Sequence, residues 1–315
     1  MATLNPDALI VLLPPRERLP DPAGPLATAI GRAERLPASE AGQRAQLERH
    51  VALLPRRWPM AAITRQLDVG DAAGAHWLRA DPAYVEADLN AGRMLACGNL
   101  GLTATEAEAL LRPLRPVFGD AGFAISAPVP ERWYVQLPAG AKLPDFHDPE
   151  QVLGDDLLEH LPSGDTGRRW RALLNEAQVL LHNHPLNAER RARSRTPVNS
   201  LWFWGGGGLP DHVEMRVRRV VTDTVDMAAL AGLAGVEVLP LGEGPDRVLA
   251  EPASTLLDLR RLGDGESLQG DWLLPAVAAL ASGTLDTMLF DLVDGTGYRL
   301  TRPQRWRFWR RPKSW

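Results

Sequence analysis

The chain has 315 residues, enough for one large or two modest domains with a buried core. Its 35 Lys and Arg against 39 Asp and Glu leave a formal net charge of −4, which argues against a general nucleic-acid binder. One cysteine, Cys97, excludes an intrachain disulfide, and no stretch approaches the ~20 apolar residues that span a bilayer.

From the start, "ALIVLL" (8–13) is apolar and stopped by Pro14 and Pro15, which predicts a short buried strand. "PLATAIGRAERL" (25–36) and "EAGQRAQLERHVALL" (40–54) predict helices. "AAITRQL" (61–67), "AHWLRA" (75–80), "AYVEADL" (83–89) and "RMLACG" (93–98) predict strands, joined by turns that include "NAG" (90–92). A helix is expected from "LTATEAEALLRPLRPVF" (102–118), with Thr103 and Glu106 at capping-box spacing and Pro113 and Pro116 breaking it. "GFAIS" (122–126) and "RWYVQL" (132–137) read as strands, followed by a Pro/Asp/Gly-rich loop over 138–156.

The clearest helix is "GRRWRALLNEAQVLLHNHP" (167–185). Trp170, Leu173, Leu174, Ala177, Leu180, Leu181 and His184 recur on one face, and Pro185 disfavours helical dihedrals at His184. "VNSLWFW" (198–204) is then a buried strand running into Gly205–Gly208. "EMRVRRVV" (214–221), "VEVLPL" (236–241) and "TMLFDLV" (287–293) predict further strands. "VDMAALAGLAG" (225–235) and "DWLLPAVAALASG" (271–283) predict helices between them. This alternation predicts a parallel α/β sheet. "DGTG" (294–297) predicts a hairpin turn, and the basic, aromatic "RPQRWRFWRRPKSW" (302–315) could touch RNA or an anionic membrane or, the preferred reading, form an edge strand with Trp306 and Phe308 inward and Arg305 and Arg307 outward.

No metal motif is found. His182 and His184, two apart, diverge by about 200° on a helix. Asp156 with His160, and Asp145 with His147 and Asp148, match no strong ligand spacing. There is no GxSxG, and Cys97 reads as a core thiol. The glycine run lacks the Lys-Ser/Thr of a phosphate-binding P-loop and the spaced glycines of a dinucleotide fingerprint. Arg190, Arg191, Arg193 and Arg195 could gather an anion, or could simply be a solvated run.

Two resemblances follow from the residues. "WLRADPAYVEADLN", "ERWYVQLP", "LLNEAQVLLHNHPLNAER", "VNSLWFWGGG" and "WRFWRR" resemble the RpfE-type regulatory proteins of bacteria, a family named for genetic context rather than chemistry. More remotely, "HPLNAER" followed by "TPVNSLWFWGGG" resembles the archaeal-type cofactor-independent phosphoglycerate mutases. His184, Pro185, Asn187, Arg190, Asn199 and Gly205 fall on that pattern. The second resemblance implies an alkaline-phosphatase-like core in which two metal ions, held by aspartates and histidines, activate a serine or threonine. The first strand here lacks the Asp-Gly that would begin such a site, and no histidine follows His212.

The expectation is therefore an α/β fold, a degenerate alkaline-phosphatase/phosphoglycerate-mutase-like core with an inserted smaller α+β region. The core is expected at 1–76 and 196–315 and the insertion at 77–195. Arg190, Asn187, Asn199, Trp204, Gly205, Gly206 and Gly207 are the candidate ligand-binding residues, and His184 and Pro185 a structural corner. No catalytic residue, metal or cofactor is assigned. The expected function is a non-catalytic regulatory or binding protein, its partner an anionic small molecule or a regulatory protein. The alternatives are a phosphoglycerate-mutase-like enzyme and a scaffolding partner. With no basic residue before the apolar run of "MATLNPDALIVLLPPRER", a signal peptide is not expected. A cytoplasmic protein with no membrane or nucleic-acid partner is.

Overall fold

A computed structural model describes residues 8–87, 92–138, 140–250, 252 and 254–315. The chain divides into two compact units. One is built from Met1–Arg56 and His212–Trp315, the other from Arg57–Asp211. The second unit therefore takes in more on either side than the expected 77–195.

The first leg holds β1 (Leu9–Leu13), α1 (Gly24–Arg32), β2 (Glu34–Arg35), α2 (Gln43–Glu48) and β3 (Val51–Leu54). Pro25 sits in the first turn of α1, where its missing N–H costs nothing. The helix expected over 40–54 stops at Glu48. Its last residues form β3 instead, because Val51 and Leu53 are buried while Ala52 and Leu54 are exposed, the alternation of a strand.

The inserted unit runs through α3 (Met60–Asp68), β4 (His76–Ala87), β5 (Gly92–Cys97), α4 (Ala104–Leu111), α5 (Leu114–Asp120), β6 (Ala124–Val129) and β7 (Arg132–Leu137). It continues with α6 (Pro149–Val152), α7 (Gly164–His182), α8 (Pro185–Ala192) and β8 (Ser200–Gly208). Residues 61–67 are not a strand but most of α3. Met, Ala, Arg, Gln and Leu are strong helix formers and outweigh the single Ile-Thr pair. The Thr103–Glu106 capping box is present, and the helix divides at Pro113 as expected. The turn expected at 90–92 lies largely outside the described residues.

β4 is the organising strand of this unit. It pairs antiparallel with β7, with β5 and, along most of its length, with β8. α4, α5 and α7 pack Leu110, Leu114, Phe118, Trp170, Leu174 and Leu181 against Trp133 and Phe203. Trp170 stacks on Phe123 at 4.9 Å and meets Phe203 at 5.1 Å, so here the tryptophans serve packing.

The chain returns through β9 (His212–Met215), β10 (Arg219–Val221), α9 (Val225–Leu233), β11 (Glu237–Leu239), α10 (Pro245–Ala250), β12 (Thr255–Asp258), α11 (Gly265–Ser267), α12 (Leu274–Ser282), β13 (Thr287–Leu292) and β14 (Gly297–Thr301). The single strand expected over 214–221 is two. β9 pairs with β3, and β10 joins the main sheet. β12 has no counterpart among the expected strands.

The main sheet has the order β11-β10-β12-β1-β13-β14-β2. β11, β10, β12, β1 and β13 are mutually parallel, and β14 and β2 close the edge antiparallel. β1, apolar on both faces, lies between β12 and β13, as a strand buried in a parallel sheet should. On one face Leu9, Val11, Leu13, Leu257, Phe290 and Leu292 pack with Leu26, Ile30, Trp272 and Leu280. The hairpin at Asp294–Gly297 forms as expected, with Asp294 accepting from Thr296 N at 2.8 Å. The α/β core with a smaller α+β insertion is thus the architecture.

Candidate functional site

The corner at 181–208 is not an open loop. α7 ends at His182 and the chain re-enters a helix, α8, at Pro185. His184 is the N-cap. It is half-buried, and its Nδ1 accepts from Leu186 N at 3.3 Å, so it is not the buried face residue its spacing implied. Asn187 is fully buried. Its Nδ2 donates to Leu181 O and Val198 O, both at 2.7 Å, and its Oδ1 accepts from Val198 N at 2.8 Å. One amide therefore ties the end of α7 to the approach of β8. Asn199 does the same at the irregular pairing beside Val85, accepting from Val85 N at 2.8 Å and donating to Val85 O at 2.7 Å.

Arg190 is 1% exposed. Its Nε donates to Thr196 O at 2.9 Å, its Nη2 to Leu100 O at 2.5 Å, and its Nη1 lies 3.1 Å from Glu106 Oε2. Gly205–Gly207 belong to β8, and α3 packs on them. A Cβ on Gly205 would lie 3.2 Å from Ala61 N, one on Gly206 2.4 Å from a Leu143 methyl, and one on Gly207 2.8 Å from Pro59. The neighbours of Arg190 and those of the glycines share no residue. Trp204 Nε1 donates to Asp81 Oδ2 at 2.7 Å. The anion site expected from Arg190, Trp204 and Gly205–Gly207 is therefore not formed. The guanidinium is neutralised internally, and the glycines exist for close backbone approach. Arg191, Arg193 and Arg195 are exposed.

Trp204 joins a buried polar network along β4. Arg79 and Asp81 form a two-point ion pair at 2.8 Å and 2.8 Å, and Trp133 N also donates to Asp81. Cys97, half-buried at the end of β5, has its thiol pushed well up by burial and by the charge of Asp81, which keeps it a poor nucleophile. Among the loop candidates, His160 Nε2 reaches Asp155 Oδ2 at 3.0 Å, not Asp156, and His147 Nδ1 meets the His160 carbonyl.

The parallel sheet of the other unit supplies a candidate site that composition and spacing do not reveal. β10 leads through α9 to β11 on one side, and β12 leads through α12 to β13 on the other. Adjacent strands with diverging connections make a switch point, where open α/β sheets bind ligands beyond their carboxyl ends. There Asp258 accepts from Arg260 Nε and Nη2, both at 2.8 Å, from Thr224 Oγ1 at 2.5 Å and from Thr222 Oγ1 at 3.1 Å. All four residues are 7% exposed or less.

A second buried carboxylate completes the edge. Leu12 of β1 is in register with Asp258 on one side and Asp291 on the other, which places the two aspartate backbones on the order of 10 Å apart. Both alternate with core-facing neighbours and so share the opposite face. Asp291 accepts from Arg49 Nη2 at 2.6 Å and lies 2.6 Å from His50 Nε2. Burial acts to raise both aspartates. The partners outweigh it (Arg260 and Thr224 on one, His50 and Arg49 on the other), and both carboxyls lie below their ordinary value. Arg16, just after β1, donates to Thr296 Oγ1 at 2.8 Å and lies 3.5 Å from Asp294.

The two metal ions implied by the mutase resemblance do not fit these residues. Among the described residues no group of three or more His, Cys, Asp or Glu side chains could hold an ion. The two buried aspartates of this edge already have cations of their own chain as partners.

No family model matches the chain. Among curated proteins it is 34% identical over 96 residues to a probable 2,3-bisphosphoglycerate-independent phosphoglycerate mutase of Geobacter sulfurreducens, which is 29% of this chain and 24% of that protein. It is 30% identical over 110 residues to the 2,3-bisphosphoglycerate-independent phosphoglycerate mutase of Methanosarcina barkeri, 35% of this chain and 27% of that one. The chain thus spans about a quarter of the length of the curated relatives it matches. Among solved structures, the cofactor-independent phosphoglycerate mutase from Thermoplasma acidophilum aligns over 94% of this chain and 89% of that one, with a TM-score of 0.42 and 14% identity. The fold class here is read from the sheet topology itself. The expectation of a non-catalytic regulatory or binding protein is overturned. The relatives bear the names of enzymes, and the sequence is remotely similar to cofactor-independent phosphoglycerate mutases.

Proposed function

We propose that the chain is a phosphoglycerate-mutase-like enzyme that acts on a small phosphorylated acid. The observation that carries this reading is the sequence likeness to curated mutases over 96 to 110 residues. The switch point of the parallel sheet supports it through Arg16, which lies at that edge with its side chain open to solvent, beside the Arg49–Asp291 and Arg260–Asp258 pairs. Guanidinium groups match phosphate and carboxylate oxygens in pairs. Arg16 is the most accessible of the three, with its side chain 41% exposed, and is assigned the first contact with substrate phosphate. No reaction step is assigned to a metal, since the donor set does not fit one. Kinship with the RpfE-type proteins and a cytoplasmic setting belong to this proposal. The first rests on the five quoted stretches, and the second on a fold that needs no disulfide.

Phosphorus NMR of the full chain mixed with 3-phosphoglycerate, with and without Mn²⁺ or Mg²⁺, tests the reading. The expected result is appearance of the 2-phosphate isomer above the protein-free background, weakened in Arg16→Ala. Absence of interconversion in every arm, together with no thermal shift on adding either phosphoglycerate, overturns it.

A further inference from the structure

The segment Thr301–Trp315 carries six basic residues and no acidic one, in a chain whose net charge is −4. The edge strand expected there does not form. The chain makes a 3-10 turn over Arg302–Trp306, because Pro303 cannot donate to a ladder and the Thr301–Gln304 capping box closes the turn. Trp306, Phe308 and Trp309 are left 58%, 67% and 76% exposed, and the last two are the most exposed large apolar side chains among the described residues.

These rings stand on a fixed base. Lys313 N donates to Ala27 O at 3.0 Å, and Trp315 Nε1 donates to Pro20 O at 3.1 Å while its ring meets Phe290 edge-on at 5.5 Å. The backbone passes so close to α1 that a Cβ on Gly31 would lie 2.0 Å from Arg311 O. The charges are not cancelled either. Arg305 and Arg307 donate to the carbonyls of Ala281 and Arg32, which leaves their charge intact. Among the described residues none of the six cations pairs with a carboxylate.

We propose that this face docks on an anionic phospholipid surface, with the aromatic side chains entering the headgroup layer and the arginines meeting lipid phosphates. Charge complementarity names the occupant as a polyanion, and the packing of Trp306 and Phe308 favours a lipid surface over a nucleic acid strand. A nucleic acid strand needs free ring faces for its bases to stack on. Here the Arg305 guanidinium covers a face of Trp306 at 5.0 Å and that of Arg32 covers a face of Phe308 at 5.3 Å. The two rings also close edge-to-face at 5.7 Å. A surface that offers aromatic edges and guanidinium groups together suits the membrane interface, where one side of each group is apolar and the other wet. Among the described residues no helix is long and apolar enough to cross a bilayer, so the contact is peripheral.

Co-sedimentation of the full chain with phosphatidylcholine vesicles, with and without about one-third phosphatidylserine, tests this. The protein is expected to pellet with the anionic vesicles alone and to be released by salt. Replacing Trp306, Phe308 and Trp309 together by Ser should lower binding ~10-fold at an unchanged melting temperature, since all three are exposed. Arg310→Gln with Arg311→Gln should weaken it without touching a ring. No pelleting with anionic vesicles, equal pelleting of the Ser variant, or displacement of vesicles by a single-stranded oligonucleotide overturns the proposal. None of these outcomes depends on the activity proposed above.

Discussion

Two buried Asp–Arg pairs, one in each unit, share a local arrangement and differ in what surrounds them. Arg79 and Asp81 lie two apart along β4, and Asp258 and Arg260 two apart from the end of β12. Each pair makes two hydrogen bonds at 2.8 Å. Residues two apart on an extended chain point the same way, which lets the fork of an arginine grip the carboxylate. The Asp81 pair sits inside an antiparallel sheet, capped by Trp204 Nε1 and Trp133 N, and burial raises its carboxyl above the ordinary value. The Asp258 pair sits where parallel strands end, with two threonine hydroxyls added, and its carboxyl lies below the ordinary value. One arrangement therefore serves as a rivet in mid-sheet and as a buried clamp at the carboxyl end of a parallel sheet. Its position in the topology makes the difference.

The comparison breaks most visibly when one partner is removed. Arg79→Ala and Arg260→Ala should each cost about 3–5 kcal/mol in urea unfolding, because each leaves a buried carboxylate without its cation. Replacing both members by apolar residues of similar volume should cost less than either single change at the Asp258 site. A double variant as unstable as the single would show that the pair itself, rather than the orphaned charge, holds the edge.

A smaller effect separates rivet from site within the inserted unit. Asn187→Ala should lower stability by about 1–3 kcal/mol, since Leu181 O, Val198 O and Val198 N all lose a buried partner. Binding of phosphoglycerate per folded molecule should not change. Altered binding at unchanged stability would return the corner to the ligand-binding role expected from sequence.

The smallest expected effect is on pH dependence. Asp68, Asp258 and Asp291 all titrate below their ordinary value, because partners such as Arg132, Arg260 and His50 outweigh the upward push of burial. A carboxylate depressed in the folded state contributes stability that is complete above its unfolded pKa, near 4, and is lost as pH falls through the folded value. The melting temperature should therefore decline from about pH 4 downward. In Asp258→Asn/Arg260→Gln the decline should be shallower over the same range. An identical slope would show that Asp258 is not depressed.

The local periodic signals carried far. "ALIVLL" and the Trp170–Leu181 face are read directly, since an apolar run and a 3.6-residue repeat each fit one kind of burial. Thr103–Glu106 and Asp294–Gly297 follow from chemistry confined to four residues. The alternation after residue 214 announced the parallel sheet, although β12 was missed, because Thr255–Asp258 is short and ends in a charge. "AAITRQL" forms a helix rather than a strand and "HVALL" a strand rather than a helix, because each is short enough for its packing partner to decide.

By itself the sequence determined a chain able to fold without disulfides, its α/β class, several of its caps and turns, and its remote likeness to the mutases. Only the tertiary structure decided which polar residues meet. Arg190 finds Glu106 from another helix and Asp291 finds Arg49 and His50 across some 240 residues. Asp258 and Asp291 align only because β1 lies between their strands. Spacing along the chain reports neighbours within a turn or a strand, whereas strand order, which no local pattern encodes, brings distant charges to one edge.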